Sequence, residues 1–171
     1  MPKVPVLFVI SLLLLDIFLL QKVPPPVNFP PFRALDSDGN FVTNEIFAGK
    51  LTAVCVYGTS AEFMESLAAL KKNLPPDVQI LGIANSAAAQ ILAKKTAPSI
   101  PQILANDTLA PILTKIKIAP TTLFVDAQGK LVGQAVSGAE IILVQREIAQ
   151  ILEMNSPRTQ ALKKIQASIF R

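Results

Sequence analysis

Residues 51–73 read LTAVCVYGTSAEFMESLAALKKN, and this stretch decides the fold class. Its first seven residues form an unbroken apolar run rich in β-branched side chains, which is typical of a strand buried on both faces of a sheet. After a short turn, Phe63, Met64 and Leu67 fall on one helical face and the charged residues fall off it, so the pattern predicts an amphipathic helix over 61–73. A buried strand followed directly by a helix indicates an α/β protein.

The same alternation continues along the chain. The run 78–84 (VQILGIA) predicts a second buried strand, and 87–95 predicts a second helix. Strands over 121–125 and 130–136 form a predicted hairpin across the turn 126–129, and 139–153 closes the pattern as an amphipathic helix. With 171 residues the chain has room for one such domain, which we place at 32–153 as an α/β fold with a mixed sheet flanked by helices.

The composition excludes several kinds of chemistry. The chain has no His and a single Cys, Cys55, so it can form neither a His-based triad nor an internal disulfide. One thiolate and carboxylates make a poor zinc site, and we therefore predict no metal and no cofactor. The formal charge of +4 comes entirely from residues 154–171, which hold four basic residues and no acid. A neutral body without basic clusters argues against nucleic-acid binding.

The N-terminal residues predict attachment to a membrane. A run of 17 residues from Val4 to Leu20 is broken only by Ser11 and Asp16, which is at the short end of what spans a bilayer. A cleaved signal peptide is the alternative, but no small residues follow the run, and this favours an uncleaved anchor over 1–21. Lys3 indicates a cytoplasmic start and an outward-facing body. Five prolines in 22–31 predict an extended, stiff spacer.

The basic segment 154–171 predicts an amphipathic helix. Ser156 is a good N-cap and Pro157 suits the first helical position. Apolar residues then repeat on one face, while Lys163 and Lys164 point elsewhere. Such a helix fits an anionic lipid surface, a partner helix or the protein's own domain, and the sequence leaves these three open.

Three stretches carry a resemblance to a known family: 32–39 (FRALDSDG), 47–52 (FAGKLT) and above all 119–130 (APTTLFVDAQGK). Together with the strand ending at Tyr57, they resemble the membrane-tethered thioredoxin-fold proteins of the TlpA/ResA kind, over about 27–153. The resemblance implies a thioredoxin-like fold. It also implies a place on the outer side of a bacterial cytoplasmic membrane, where members act as thiol-disulfide oxidoreductases in cytochrome c maturation or disulfide reduction.

The family's dithiol motif falls on 57–64, where Ala61 and Met64 stand in place of both cysteines. Thiol exchange needs one thiolate to attack and a second thiol to resolve the mixed disulfide, so this chain lacks the dithiol reaction. Thr59 and Glu62 have the spacing of a capping box and predict a purely structural helix start.

The remaining site residues follow from the same resemblance. Cys55 falls where thioredoxins carry a buried carboxylate, and it is either an inert packed thiol or a single reactive thiol. Pro120 matches the family's cis-proline. The degenerate active site then consists of Tyr57, Ala61, Glu62, Phe63, Met64, Ala119 and Pro120, which either line an apolar peptide-binding groove or simply pack.

These observations favour a single-pass, membrane-anchored thioredoxin-like binding or scaffold module with no redox dithiol. The alternative is an oxidoreductase variant in which Cys55 works with a partner's thiol. In a third interpretation the anchor and tail carry the function and the body is a spacer.

Overall fold

The structure is a computed structural model that describes residues 27–157 and 159. The predicted anchor 1–21, the start of the predicted spacer and most of the basic tail therefore lie outside the described residues. Among the residues that are described, no helix is long and apolar enough to cross a membrane.

The domain is built on a five-stranded mixed sheet, as the alternating pattern predicted. Three parallel strands lie on one side, and an antiparallel hairpin continues the sheet on the other, in the spatial order β5-β4-β3-β6-β7. A separate two-stranded hairpin, β1-β2, precedes it. The strands are β1 Arg33–Leu35, β2 Phe41–Thr43, β3 Leu51–Tyr57, β4 Val78–Ala84, β5 Gln102–Leu104, β6 Thr121–Val125 and β7 Leu131–Ser137.

Four α-helices connect or cover these strands: α1 Ala61–Lys71, α2 Ala87–Thr96, α3 Ala110–Leu113 and α4 Ile141–Met154. Two short 3-10 turns, Asn44–Phe47 and Asp107–Leu109, complete the described elements. Strands 51–57 and 78–84 match the predicted bounds, and the three predicted helices differ from α1, α2 and α4 by at most two residues at each end, whereas α3 was not predicted. Helix α1 ends at Lys71 rather than at 73, shortly before the helix-breaking Pro75 and Pro76.

The central strand β3 is buried on both faces, which explains its continuous apolar run. One face, including Ala53, Cys55 and Tyr57, packs against α1, α2 and α4. The other face, including Val54 and Val56, is covered by the N-terminal segment and α3. Two apolar layers therefore cover the two faces of the sheet. A functional site is accordingly expected at the strand ends and in the loops that follow them.

Residues 27–31, the end of the segment predicted as a spacer, are attached to the domain. Phe29 is only 2% exposed, and its ring packs edge-on against Phe32 and Phe47 with centroid distances of 5.8 and 5.2 Å. The backbone pairs with the β6-β7 hairpin, because Phe29 N–H donates to Gly129 O and Leu131 N–H donates to Val27 O, both at 2.8 Å. An aromatic ring placed among prolines has enough apolar surface to attach this extended segment to the core.

Candidate functional site

Ser60, and not Thr59, is the N-cap of helix α1, so the predicted capping box at Thr59 is wrong. The Ser60 hydroxyl accepts a hydrogen bond from Phe63 N–H at 3.4 Å, while Thr59 is exposed. The helix starts one residue later than the capping box required. Ser60 is therefore the extended residue before the helix, and its side chain satisfies one of the free amide groups. Glu62 remains exposed in the first turn.

The two positions that would carry a dithiol differ in their surroundings. Ala61 is the first residue of α1 and is half-buried at the surface. Met64 is completely buried and belongs to the core cluster beneath the helix. Only the first of these positions reaches the surface.

The loop before β6 lies at the same end of the sheet. The Ala119–Pro120 peptide bond is cis, as the resemblance implied. The carbonyl of Pro120 accepts a hydrogen bond from Gly138 N–H at 2.8 Å, which ties this loop to the end of β7. Thr121 Oγ1 donates to Ile118 O at 2.6 Å. Ala119 is exposed, and 59% of Ile118 faces solvent.

Three of the seven residues predicted for the groove are buried in the core. Tyr57, Phe63 and Met64 are at most 1% exposed, so none of these side chains can line a surface groove. They point inward because the odd-numbered residues of β3 and the apolar face of α1 meet in one core layer. Only Ala61, Glu62, Ala119 and Pro120 reach the surface.

A different groove, of about 370 Å³, lies beside Pro120 between the loop 115–118 and the outer strands. We call it the Ile118 groove. Sequence reasoning missed it, because its residues come from α3, the following loop, β6 and β7. Its lining includes Ile112, Lys115, Ile116, Lys117, Ile118 and Leu123.

Cys55 is a neutral, enclosed thiol. It is 0% exposed, and its Sγ lies 3.3 Å from Thr122 Oγ1 on the neighbouring strand. Burial raises the pKa of the thiol from 9.0 to about 12, while the hydrogen bond with Thr122 lowers it by less. The thiolate is the nucleophilic form, so the raised pKa makes Cys55 unreactive in the folded protein.

A row of polar side chains crosses the sheet next to Cys55. The cross-strand register aligns Gln102, Gly82, Cys55 and Thr122. The Tyr57 hydroxyl donates to Gln102 Oε1, and Gln102 Nε2 is buried without a protein hydrogen-bond partner. Burial raises the pKa of the Tyr57 hydroxyl, and the nearby Cys55 raises it further, so the phenol stays a hydrogen-bond donor.

Gly82 makes room for this polar row. A Cβ at this position would overlap Gln102 Oε1 and would lie 2.9 Å from Tyr57 Cε1. The only sequence signal for the row was a glycine inside a strand, which often marks a close approach. Gln102 and Thr122 had no such signal.

The similarity to known proteins comes from solved structures. No family model matches the chain, and no curated protein matches it. Among solved structures, it is similar to a thioredoxin-family thiol:disulfide interchange protein from Chlorobium tepidum (TM-score 0.55, 22% identity, covering 68% of this chain and 89% of that one). It is also similar to a thiol-disulfide oxidoreductase from Bacteroides fragilis (0.55, 19%, 70% and 98%). A third is the exposed lipoprotein thioredoxin of Streptococcus pneumoniae (0.52, 19%, 67% and 96%).

The chain therefore has a thioredoxin-like fold, as the resemblance implied. At these identities the similarity establishes the fold alone, and the chemistry must be argued from the residues of this chain.

Proposed function

We propose that this protein is a thioredoxin-fold binding module without thiol-disulfide exchange activity. The observation that carries the proposal is the state of its one thiol and of the two dithiol positions. Cys55 is enclosed with its pKa raised to about 12, Ala61 has only a methyl group, and Met64 is a buried thioether. None of the three can attack or resolve a disulfide at a useful rate.

The Ile118 groove is the binding surface that we propose, and its occupant is an extended, acidic peptide segment of a partner protein. Apolar side chains line the groove, and its charged lining residues, Lys115 and Lys117, are both basic. Apolar pockets with a basic rim favour a segment that carries apolar side chains flanked by Asp or Glu. Ile118, which is 59% exposed, is the natural contact for such a segment.

We also propose that the module acts on the outer side of a bacterial cytoplasmic membrane, attached by residues 1–21. The support is the apolar run from Val4 to Leu20 and the lysine before it. One of the structural neighbours, the thioredoxin of Streptococcus pneumoniae, is itself an exposed lipoprotein of similar fold.

An oxidoreductase variant is the second candidate, because the structural neighbours named above include thiol-disulfide oxidoreductases. In that case the Cys55 thiolate would attack a substrate disulfide, forming a mixed disulfide and releasing one substrate thiol. A dithiol of a partner protein would then release the second substrate thiol and regenerate Cys55 by forming its own disulfide. The burial of Cys55 argues against this route, since a partner disulfide could reach the thiol only after local opening of the sheet.

One assay separates the two candidates. The full chain is purified in detergent, and insulin reduction coupled to dithiothreitol is measured for the wild type and for Cys55→Ala. The binding module predicts no turnover above the buffer rate in either protein. Turnover in the wild type that Cys55→Ala abolishes would replace the binding proposal with the oxidoreductase.

A second experiment tests the groove. A photo-crosslinking amino acid is placed at Ile118 or, as a control, at Ile91, which is similarly exposed at 61% but lies on α2. Irradiation of intact membranes should join a discrete partner to the protein labelled at 118 and not to the one labelled at 91. The same products from both positions would remove the groove from the proposal.

A further inference from the structure

Strand β7 is the outermost strand of the sheet on its hairpin side, and most of its outer edge has no partner strand. Strand β6 pairs with its inner side. On the outer side, within the part of the chain that the structure describes, only the segment at Val27 joins it, where Leu131 N–H donates to Val27 O at 2.8 Å. Residues 131–137 (LVGQAVS) include no charged residue and no proline, the residue types that usually protect an exposed edge. The edge beyond Leu131 is therefore open to another strand.

The pairing with β6 shows which backbone groups of β7 face outward. Gly138 N–H donates to Pro120 O, and the register pairs Val136 with Thr122, so the backbone groups of residues 136 and 138 point toward β6. In an antiparallel pair, successive residues point their N–H and carbonyl groups to opposite sides of the strand. The N–H and carbonyl of Ser137 therefore face away from the sheet.

The same chain shows that an extended segment can pair with this side of the sheet. Asn28 forms an antiparallel bridge with Lys130, directly before β7 begins. The residues that precede Val27 in the sequence, 24–26, are all prolines, which have no amide hydrogen. These three residues cannot donate to the edge beyond Leu131.

Two cavities adjoin the open edge. The Ile118 groove is lined in part by Ala135 and Ser137 of β7. A second cavity, of about 860 Å³, lies between β7 and α4, and we call it the Glu147 cavity. The Glu147 carboxylate reaches the edge itself, because it accepts a hydrogen bond from Gln134 N–H at 2.7 Å. The lining of the Glu147 cavity includes Gly133, Gln134, Arg146, Glu147 and Glu153.

The two cavities lie on opposite faces of the sheet. Val132 and Val136 pack with α4 in one apolar layer, and the Glu147 cavity adjoins α4 on that face. Leu123 and Leu131 belong to the other apolar layer, and both line the Ile118 groove. Side chains of a strand alternate between the two faces of its sheet. A strand paired with β7 would therefore point its side chains alternately toward the groove and toward the Glu147 cavity.

The charges of the two cavities differ. The Ile118 groove is apolar with Lys115 and Lys117 at its rim. The Glu147 cavity holds two carboxylates, Glu147 and Glu153, and one guanidinium, Arg146. Acidic side chains are therefore favoured on the groove face of an added strand and disfavoured on the opposite face.

We propose that the partner's segment binds as an added strand on the edge of β7, paired with the outward N–H and carbonyl of Ser137. Its apolar and acidic side chains face the Ile118 groove, and its polar, non-acidic side chains face the Glu147 cavity. This inference rests on the proposed function, and it adds the mode of binding and the alternating residue pattern of the ligand. Main-chain pairing supplies affinity, and the alternating pockets supply specificity. A second copy of this chain fits less well, because its own β7 has no acidic residue for the lysine-rimmed groove.

The test uses the full chain in detergent and a fluorescent synthetic peptide, acetyl-Thr-Glu-Thr-Val-Thr-Asp-Thr-amide, whose binding is followed by fluorescence anisotropy. In one derivative the amides of Glu, Val and Asp are N-methylated, and in the other those of the Thr residues between them. The two sets of amides face opposite edges of an extended peptide. We expect one derivative to bind as the parent does and the other to lose at least about tenfold in affinity, because it cannot donate to β7.

The protein offers a matched pair of variants for the same measurement. Ser137→Pro removes the outward N–H, and an edge strand tolerates proline where the N–H faces solvent. Ser137→Ala keeps the N–H. We expect Ser137→Pro to bind the parent peptide at least about tenfold more weakly than Ser137→Ala. Urea titrations check that both variants fold, and if Ser137→Pro does not, the N-methylated peptides decide.

The outcomes separate this inference from the proposed groove. Equal affinities of the two N-methylated peptides would overturn the edge pairing; if Lys115→Gln with Lys117→Gln still weakens binding of the parent, the groove stands. An effect of only one N-methylated peptide that is independent of these lysines would support the pairing and contradict the acidic ligand. A parent peptide that does not bind at about 1 mM would overturn the pairing, and the photo-crosslink at Ile118 would still decide the groove. A dimer of the full chain that Ser137→Pro dissociates would make a second copy the occupant and overturn the partner segment.

Discussion

The reactivity of Cys55 toward a thiol reagent is the most direct measure of whether this protein retains redox chemistry. The chain has one cysteine, so the absorbance released from Ellman's reagent counts one thiol per molecule. The rate is measured at about pH 8 in the folded protein and in the chain unfolded by about 6 M guanidinium chloride. The comparison isolates what folding does to the same sulfur atom.

The expected difference follows from the burial of the thiol. Raising its pKa from 9.0 to about 12 lowers the thiolate fraction at pH 8 by about a thousandfold. The side chain is also 0% exposed, so the reagent reaches it only after the sheet opens. We therefore expect the folded protein to react at least about a thousandfold more slowly than the unfolded chain.

A matched control tests whether Ellman's reagent reacts rapidly with an accessible thiol in the folded protein. Ala61→Cys on a Cys55→Ala background places the thiol at the start of α1, where it is half-buried and the helix dipole lowers its pKa. This variant should react rapidly when folded. If wild-type Cys55 instead reacts within about tenfold of the unfolded chain, the thiol is reachable and the binding-module proposal fails in favour of the oxidoreductase.

Three further outcomes are expected. Gly82→Ala should lower the free energy of unfolding by about 1–3 kcal/mol in urea titrations, because the new Cβ would overlap Gln102 Oε1. Adding Gln102→Ala should recover part of this loss, and an unchanged unfolding midpoint for Gly82→Ala would contradict the close approach. Ser60→Ala should cost about 1 kcal/mol in the same titration, whereas Thr59→Ala should change stability by less than about 0.5 kcal/mol; equal effects would restore the capping box. The stability that the neutral Cys55 thiol contributes is present below pH 9.0 and is lost as the pH rises toward about 12, because only the unfolded chain releases the thiol proton in this range. The wild type should therefore lose up to about 1.4 kcal/mol of unfolding free energy per pH unit more than Cys55→Ala. Parallel curves of stability against pH for the two proteins would show that the thiol does not titrate in this way.

The local patterns of the sequence were sufficient for the main elements. The runs 51–57 and 78–84 gave the correct strand bounds because a strand buried on both faces is apolar at every position, whatever its neighbours are. That the chain has a single cysteine, and therefore no dithiol of its own, is likewise a property of the residues themselves, and it needs no geometry. The sequence left Cys55 as either a packed or a reactive thiol, and its place inside such a run agrees with the buried position that the structure shows.

Weaker elements were decided by contacts between distant residues. Strand β5, Gln102–Leu104, has three residues and follows Pro101, so no local pattern indicated it; it forms because β4 offers a parallel edge. Phe29 was assigned to a spacer because of the prolines around it, yet its ring fits between Phe32 and Phe47. Local composition indicates the conformational propensity of a segment, but it does not indicate which tertiary contacts the segment forms with the rest of the chain.

The candidate site shows the same division. Sequence alone determined that this chain has an α/β fold with a lone thiol and no dithiol, because these are statements about residue types and short periodicities. Only the tertiary structure decided that Tyr57 and Phe63 face the core and that Ile118 faces solvent. Which side chains face outward depends on the pairing of β3 with strands far away in the chain, and on where α1 begins relative to them. The positions of Asn28 and Asn155 beside Gln128 were decided in the same way, because residues so far apart in the chain are brought to the same turn only by the completed sheet and by the helix packed across it.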